Sequence, residues 1–167
     1  LELGVTISLD LSSEAAIVSN MTSKSRNRIK KAKDFGLEVF WGRSRSLFRY
    51  FVDLYRPTMD KNKADEYYYF KDSFFNSVLK DLKYNSLIFY SVFEERIIAM
   101  CIVLFANGQM HYHICGSDKE YQHLAPTNLL IYEAALWGSS NGYKSLHLGG
   151  GVGSKADSLY RFKKNFN

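Results

Sequence analysis

The sequence predicts an α+β fold, with a mixed, mostly antiparallel sheet and flanking helices. Three consecutive runs are rich in β-branched and aromatic residues: 87–93, 96–105 and 109–115. Short turns separate them, and one of these is Asn107-Gly108, a dipeptide typical of tight hairpins, so the three runs form an antiparallel meander. A helical run at 126–137 precedes a further strand-like run at 144–148. A crossover of this kind makes the new strand parallel to the last strand of the meander.

Residues 1–42 are predicted to contribute a strand, a helix and a second strand. Apolar and polar residues alternate over 5–11, as they do in a half-buried strand. Ser12 or Ser13 can cap a helix that ends at Gly36, and residues 37–41 form a short strand.

Residues 42–46 are polar and are predicted as a linker. We therefore expect two units: residues 1–42, as the remnant of a preceding domain, and residues 43–167, as the main domain. The chain starts without Met, which predicts that it is part of a longer protein.

Two helices are predicted between the linker and the meander, and one at the end of the chain. Apolar residues at steps of three and four begin at Leu47, and Pro57 is expected to end that helix. Steps of four over 70–82 predict the second helix. Asp157 is a favourable N-cap for the last one.

The charge balance favours anionic partners. The net charge is +5 and the isoelectric point is about 9.1. A net positive charge attracts phosphate, nucleotides or RNA at long range. Six cations lie between Lys24 and Lys33, including Arg26 and Arg28. This helix face is either solvated or a phosphate-contacting surface.

Cysteine usage and hydropathy bear on the compartment. The chain has two cysteines, Cys101 and Cys115, which are too few for a disulfide scaffold and favour a reducing cytoplasm. No apolar run reaches the roughly 18 residues of a membrane span, so no integral membrane segment is expected. Residues 1–10 lack the pattern of a signal peptide.

The glycine-rich run 148–155 matches neither common phosphate-binding motif. Ser154 stands before the lysine where a Walker loop requires Gly, and it also occupies the third glycine position of a dinucleotide fingerprint. Two interpretations stay open. Gly149, Gly150 and Gly151 can present backbone N–H groups to a ligand, or they form a flexible connection.

Histidines on the last meander strand are candidate site residues. Strict alternation places His111, His113 and Cys115 on one face and Tyr112 on the other. Because no further Cys or His cluster completes a ligand set, no metal site is predicted. The histidines act as a general base or a polar substrate contact, or they are structural. His147 can face the same cleft from the neighbouring strand.

Four segments resemble the second domain of FemABX-type proteins, a group related to the methicillin-resistance-protein-like and BioF2-like acyltransferases. They are His111-Tyr-His-Ile-Cys-Gly-Ser117, Tyr121-Gln-His-Leu-Ala-Pro-Thr-Asn-Leu-Leu130, Leu146-His-Leu-Gly-Gly-Gly151 and Asp157-Ser-Leu-Tyr-Arg-Phe-Lys-Lys-Asn-Phe166. The basic segment 26–36 resembles the arginine- and lysine-rich helix that precedes that domain in the family. The predicted element order from Leu47 onward is also that of a GNAT-type (acyl-CoA N-acyltransferase) core.

The resemblance implies a function and a site. FemABX enzymes carry two GNAT-like domains and transfer an amino acid from aminoacyl-tRNA to an amine of a peptidoglycan precursor, without a metal or other cofactor. The lysine of the family's Phe-Lys motif lies at the active-site cleft, and it corresponds to Lys163. We expect Lys163, His111 and His113 to be catalytic. The expected substrate-binding residues are Phe162, Tyr112, Asn128, Gly149, Gly150, Gly151, Tyr160, Arg26 and Arg28.

Two other functions stay open. An acyl-CoA-dependent N-acyltransferase would use acetyl-CoA or another acyl-CoA and place its pyrophosphate at the helix that starts near 124–128, although the usual GNAT glycine signature is missing there. A non-enzymatic GNAT-like module would bind nucleic acid or a protein partner through the basic helix at 26–33.

Overall fold

A computed structural model describes residues 4–167, which form a six-stranded sheet covered by helices on both faces. The strands are β1 (Ile7–Asp10), β2 (Glu38–Gly42), β3 (Ser86–Phe93), β4 (Arg96–Ala106), β5 (Gln109–Ser117) and β6 (Ser145–Gly149). The α-helices are α1 (Glu14–Asn20), α2 (Ser23–Asp34), α3 (Arg45–Lys61), α4 (Asp72–Asp81), α5 (Pro126–Ser140) and α6 (Ser158–Lys164). The predicted α+β class is confirmed.

The strand order across the sheet is β1-β6-β5-β4-β3-β2. Neighbouring strands are antiparallel except β5 and β6, which are parallel, as the crossover through α5 predicted. Strands β3, β4 and β5 form the predicted meander. At its second hairpin, Asn107 and Gly108 have φ angles of 52° and 72°, the conformation that a tight turn between twisted strands requires.

Each face of the sheet has its own apolar core. Helices α1, α2, α5 and α6 cover one face, where the buried side chains include Ile17, Ile29, Leu130 and Phe166. Helices α3 and α4 cover the other, where they include Phe48, Phe51, Tyr55 and Phe75. Because β4 lies in the middle and is buried on both faces, its sequence is almost continuously apolar.

The single helix predicted between Ser13 and Gly36 is wrong, because α1 and α2 are separate. Met21 is extended, with ψ of 142°, and its side chain is buried. Thr22 then caps α2 by accepting a hydrogen bond from the Ser25 backbone N–H. Ser13 caps α1 as expected.

Pro57 was expected to end its helix, and this is wrong too, since α3 continues to Lys61. Proline removes the N–H that would bond to the carbonyl four residues earlier, here that of Asp53. Both Asp53 and Pro57 are exposed, so water can satisfy that carbonyl. The buried contacts of Phe51 and Tyr55 on the opposite side keep the helix in place.

The segment 1–42, of which residues 1–3 lie outside the described part, shares one sheet with the rest of the chain. Strand β1 pairs with β6 at one edge, and β2 pairs with β3 at the other. Helix α2 packs on α5, where Lys33 forms an ion pair of 3.0 Å with Glu133. The origin of this segment in a preceding domain stays a prediction.

Candidate active site

A cleft of ≈ 600 Å³, here called the large cleft, opens where β5 and β6 diverge. The two strands pair only as far as His111 and His147, and β5 then continues to Ser117 while β6 continues to Gly149. The lining comes from the second half of β5, the end of α3, the first turn of α5, the turn after β6, and α6. The cleft is therefore made by elements from distant parts of the sequence.

A β-bulge at His113 changes the direction of side chains along β5. Ile102 of β4 pairs with Ile114, but the next residue, Val103, pairs with Tyr112. His113 is thus the extra residue of the bulge. Bulges bend a strand and redirect its side chains, and this one lies at the wall of the large cleft.

The bulge makes the predicted face of Cys115 wrong. Regular alternation placed Cys115 beside His111 and His113. In the structure Ile114 packs on the α3 side of the sheet, whereas Cys115 packs with Tyr112 in the core on the α5 side. Burial raises the pKa of the Cys115 thiol to about 11, so the thiol is protonated and weakly nucleophilic near neutral pH.

Three imidazoles form a cluster at the start of the divergence. The Nδ1 atoms of His111 and His147 lie 2.9 Å apart, and the ring centroids of His111 and His113 are 5.6 Å apart. Burial, and then the neighbouring His113 and His147, lower the pKa of His111 to about 4. Burial also lowers the pKa of His113. Of the three rings, His113 lines the large cleft, where it can accept a proton from a bound group.

Lys163 of α6 is buried, with 8% of its surface exposed, and it lines the large cleft. Its ammonium group donates a hydrogen bond of 2.8 Å to the carbonyl oxygen of Gly150. Burial lowers the pKa of Lys163 below its ordinary value, and the nearby Asp157 carboxylate offsets only part of this effect. An ammonium carries three donors, so the bond to Gly150 leaves donors for a ligand.

The glycine turn is the name used here for Gly149, the last residue of β6, together with Gly150 and Gly151. Gly149 has a φ of 77°, which side chains disfavour. Gly150 and Gly151 line the large cleft. The turn is anchored by Asp157, whose carboxylate accepts hydrogen bonds from the N–H groups of Val152, at 3.0 Å, and Tyr160, at 2.8 Å. These bonds lower the pKa of Asp157, so its capping role lasts over the neutral range.

The first turn of α5 borders the large cleft through residues 125–128. Ala125 adopts a left-handed conformation, with φ of 58°, and no side chain caps the helix. Pro126, the first helical residue, has no N–H, so the donors at this end belong to Thr127 and Asn128. The positive end of the helix dipole favours negative charge at this place.

The remaining predicted residues divide between the cleft and its surroundings. Phe162, Asn128 and Arg28 line the large cleft, as does the buried Tyr112. Tyr160 instead packs against the core. Arg26 is engaged locally and donates hydrogen bonds to the Met21 carbonyl and to Ser23 Oγ.

The sequence did not indicate that the end of α3 forms a wall of the large cleft. Thr58 donates to the Leu54 carbonyl at 2.7 Å and accepts from the Ser117 N–H at 2.9 Å, which fixes α3 against β5. Tyr55 donates to the Tyr68 carbonyl at 2.8 Å, and Tyr68 lines the large cleft. Residues 56–67 are polar and lack periodicity, so no local pattern pointed to this wall.

Among residues 4–167, no group of three or more His, Cys, Asp or Glu side chains is placed to hold a metal ion. Every helix described there is too short or too polar to cross a bilayer.

A family model described as an acetyltransferase (GNAT) domain matches residues 19–164. The chain therefore belongs to the GNAT acetyltransferase family and is a transferase, so the non-enzymatic alternative loses its support. No curated protein matches the chain.

Solved structures with low sequence identity share the fold. FemX aligns with a TM-score of 0.81 and 12% identity over 96% of this chain and 57% of its own. L-PGS from Bacillus licheniformis aligns with a TM-score of 0.70 and 16% identity over 99% and 57%. An aminoglycoside acetyltransferase, meta-AAC0020, from an uncultured soil metagenomic sample has a TM-score of 0.57 and 14% identity over 80% and 86%. The chain thus has a FemABX-like GNAT fold and spans little more than half of FemX and L-PGS.

Proposed function

We propose that this chain is the acyltransferase domain of a FemABX-like enzyme, which transfers an aminoacyl group from aminoacyl-tRNA to an amine of a peptidoglycan precursor. The observation that carries the proposal is the position of Lys163. It lies beside Phe162 at the large cleft, as the resemblance to FemABX proteins implies, and it is buried against the glycine turn.

The shape of the large cleft supports a reaction between two sizeable substrates. Its volume of ≈ 600 Å³ lies in the range of small-molecule sites. It is walled on several sides, by α3, β5, α5 and α6, so an acyl ester and an amine can be held together. Positioning of this kind can supply a large part of the rate of a two-substrate reaction.

The chemistry is aminolysis of an ester. The amine nitrogen of the acceptor attacks the acyl carbon, the new C–N bond forms, and the C–O bond to the ribose breaks. A proton leaves the amine and one is delivered to the departing ribose oxygen. His113, neutral because burial lowers its pKa, accepts the first proton. The Lys163 ammonium stabilises the negative charge that develops on oxygen.

The proposal is tested by supplying aminoacyl-tRNA labelled on the amino acid together with a peptidoglycan precursor that carries a free amine. We expect label to appear in the precursor as an amide. A parallel reaction contains labelled acetyl-CoA instead. Transfer from acetyl-CoA, and none from aminoacyl-tRNA, would overturn the proposal.

An acyl-CoA-dependent N-acyltransferase is the second candidate, and one observation favours it. The first turn of α5 borders the large cleft without a capping side chain, so it can receive a pyrophosphate. Isothermal titration with acetyl-CoA separates the candidates, because tight binding would favour this one.

A further inference from the structure

A second cleft, of ≈ 340 Å³ and here called the small cleft, adjoins the large one. The start of α2, the first turn of α5 and α6 form it. Arg28, Asn128 and Phe162 line both clefts. The small cleft is thus an extension of the large cleft that the aminolysis step does not use.

The small cleft is built for an anion. Lys24, Arg28 and Arg161 line it, and no Asp or Glu does so within the described part of the chain. None of these three cations forms an ion pair with another described residue. The first turns of α2 and α5 also face it, and their positive dipole ends add to the attraction.

A buried hydroxyl without a partner lies in the same cleft. Ser25 is fully buried and lines the small cleft, and its Oγ has no hydrogen-bond partner among residues 4–167. Asn128, 4% exposed, lines it from α5. Buried polar groups in folded proteins almost always have partners, so the Ser25 hydroxyl has an unused hydrogen bond to offer to a ligand bound in the small cleft.

The walls of the small cleft are held together across the sequence. The backbone N–H of Thr22, directly before α2, donates to the Asn165 carbonyl at 3.0 Å. The Asn165 side chain in turn donates to the Arg161 carbonyl at 2.8 Å. These bonds fix the start of α2 against α6, so the cations of both helices are presented to one ligand.

We propose that the small cleft binds a backbone phosphate of the RNA donor while the acylated 3′ end lies in the large cleft. The proposal rests on the proposed function. One face of α2 carries a row of cations, Lys24, Arg28 and Lys31, which are four and three residues apart. This row begins in the small cleft and extends beyond it along the helix. A row of cations fits a chain of phosphates better than one small anion.

The test measures binding of a deacylated RNA hairpin with a single-stranded 3′ CCA end by fluorescence anisotropy. We expect Arg28→Gln and Arg161→Gln each to weaken binding by roughly tenfold or more, because each removes a charged hydrogen-bond donor to phosphate. Lys30→Gln is the charge-matched control, since Lys30 is on α2 but pairs with Asp34 and does not line the small cleft.

A second pair of variants tests the hydroxyl. Ser25→Ala should weaken RNA binding without lowering the melting temperature, since the hydroxyl bonds to nothing within the described chain. Ser91→Ala is the matched control, because Ser91 Oγ on β3 is also buried and unpartnered among the described residues but lines neither cleft. It should leave RNA binding unchanged.

Three results would overturn the proposal. The first is that the wild-type protein does not bind the RNA. The second is that Arg28→Gln, Arg161→Gln and Lys30→Gln lose RNA affinity to the same extent. The third is that Arg28→Gln and Arg161→Gln still bind RNA normally but no longer bind coenzyme A. The last result would assign the small cleft to the phosphates of coenzyme A. Because deacylated RNA cannot react, binding is independent of transfer. If RNA binds as expected but no aminoacyl transfer occurs, the proposed function fails and the phosphate subsite stands.

Discussion

The ammonium group of Lys163 lies 2.8 Å from the carbonyl oxygen of Gly150, and this bond joins α6 to the glycine turn. The same side chain lines the large cleft. Lys163 therefore both shapes the turn and offers positive charge to a substrate. A cation held in a buried position is already oriented when charge develops on the substrate, which is why such donors contribute strongly to catalysis.

Replacing Lys163 with Met should lower the transfer rate by roughly 10²–10³-fold, the loss measured when one oxyanion donor is removed from an active site. Met keeps much of the apolar length, so the core contacts survive. Lys164→Met is the control, because the neighbouring Lys164 is exposed. Single-turnover rates and circular dichroism of both variants check the prediction. Equal rates in the wild type and Lys163→Met would contradict it.

His113→Asn should lower the transfer rate by roughly 10²-fold or more if His113 is the general base. Because burial lowers the pKa of His113, the rate of the wild type should fall only when the pH drops below the ordinary histidine value of about 6.5. The variant should lack this acidic limb. A pH–rate profile measures it, with the exposed His123→Asn as control. An unchanged acidic limb in His113→Asn would assign the proton transfer to another group.

The buried His111 should make stability depend on pH. In the folded state its pKa is about 4, whereas the unfolded chain binds the proton near pH 6.5. The unfolded state therefore binds more protons between these values, so the free energy of unfolding falls as the pH is lowered from about 6.5 to about 4. Urea unfolding at several pH values measures this slope. His111→Gln should flatten it, and replacement of the exposed His123 by Gln provides the control variant.

Cys115 should react slowly with iodoacetamide near neutral pH. Burial raises the pKa of its thiol to about 11, so little thiolate is present. Mass spectrometry of the native chain should show Cys115 unmodified under conditions that alkylate it fully in urea. Cys115 packs beside Tyr112 but also lines the large cleft, so rapid alkylation would mean that the thiol is more open to the cleft than this packing indicates.

The errors in the sequence-based prediction have common physical causes. A single helix was predicted from the capping Ser12 or Ser13 to the stop at Gly36, yet Met21 is extended and its side chain packs into the core. Pro57 should interrupt a helix on local grounds, but tertiary contacts of Phe51 and Tyr55 keep α3 intact. At Pro57, packing against the sheet outweighs a local preference of about 3 kcal/mol against the helix.

Local chemistry determined a large part of this protein from its sequence alone. Alternation and β-branched content predicted the strands, Asn107-Gly108 predicted a hairpin, and Ser13 and Asp157 predicted helix starts. These signals depend on only a few neighbouring residues, so they can be recognised without knowledge of the tertiary structure. The resemblance of segments such as Phe162-Lys163 to FemABX proteins supplied the functional class.

Only the tertiary structure decided the site. The bulge at His113 depends on the pairing of β5 with β4 and moves Cys115 to the other face. The bond from Lys163 to Gly150 joins two different elements, and Arg28 and Arg161 line one cleft although they are far apart in the chain. Local propensity carries no information on such distances, because the register of the strands and the packing of helices on the sheet set them.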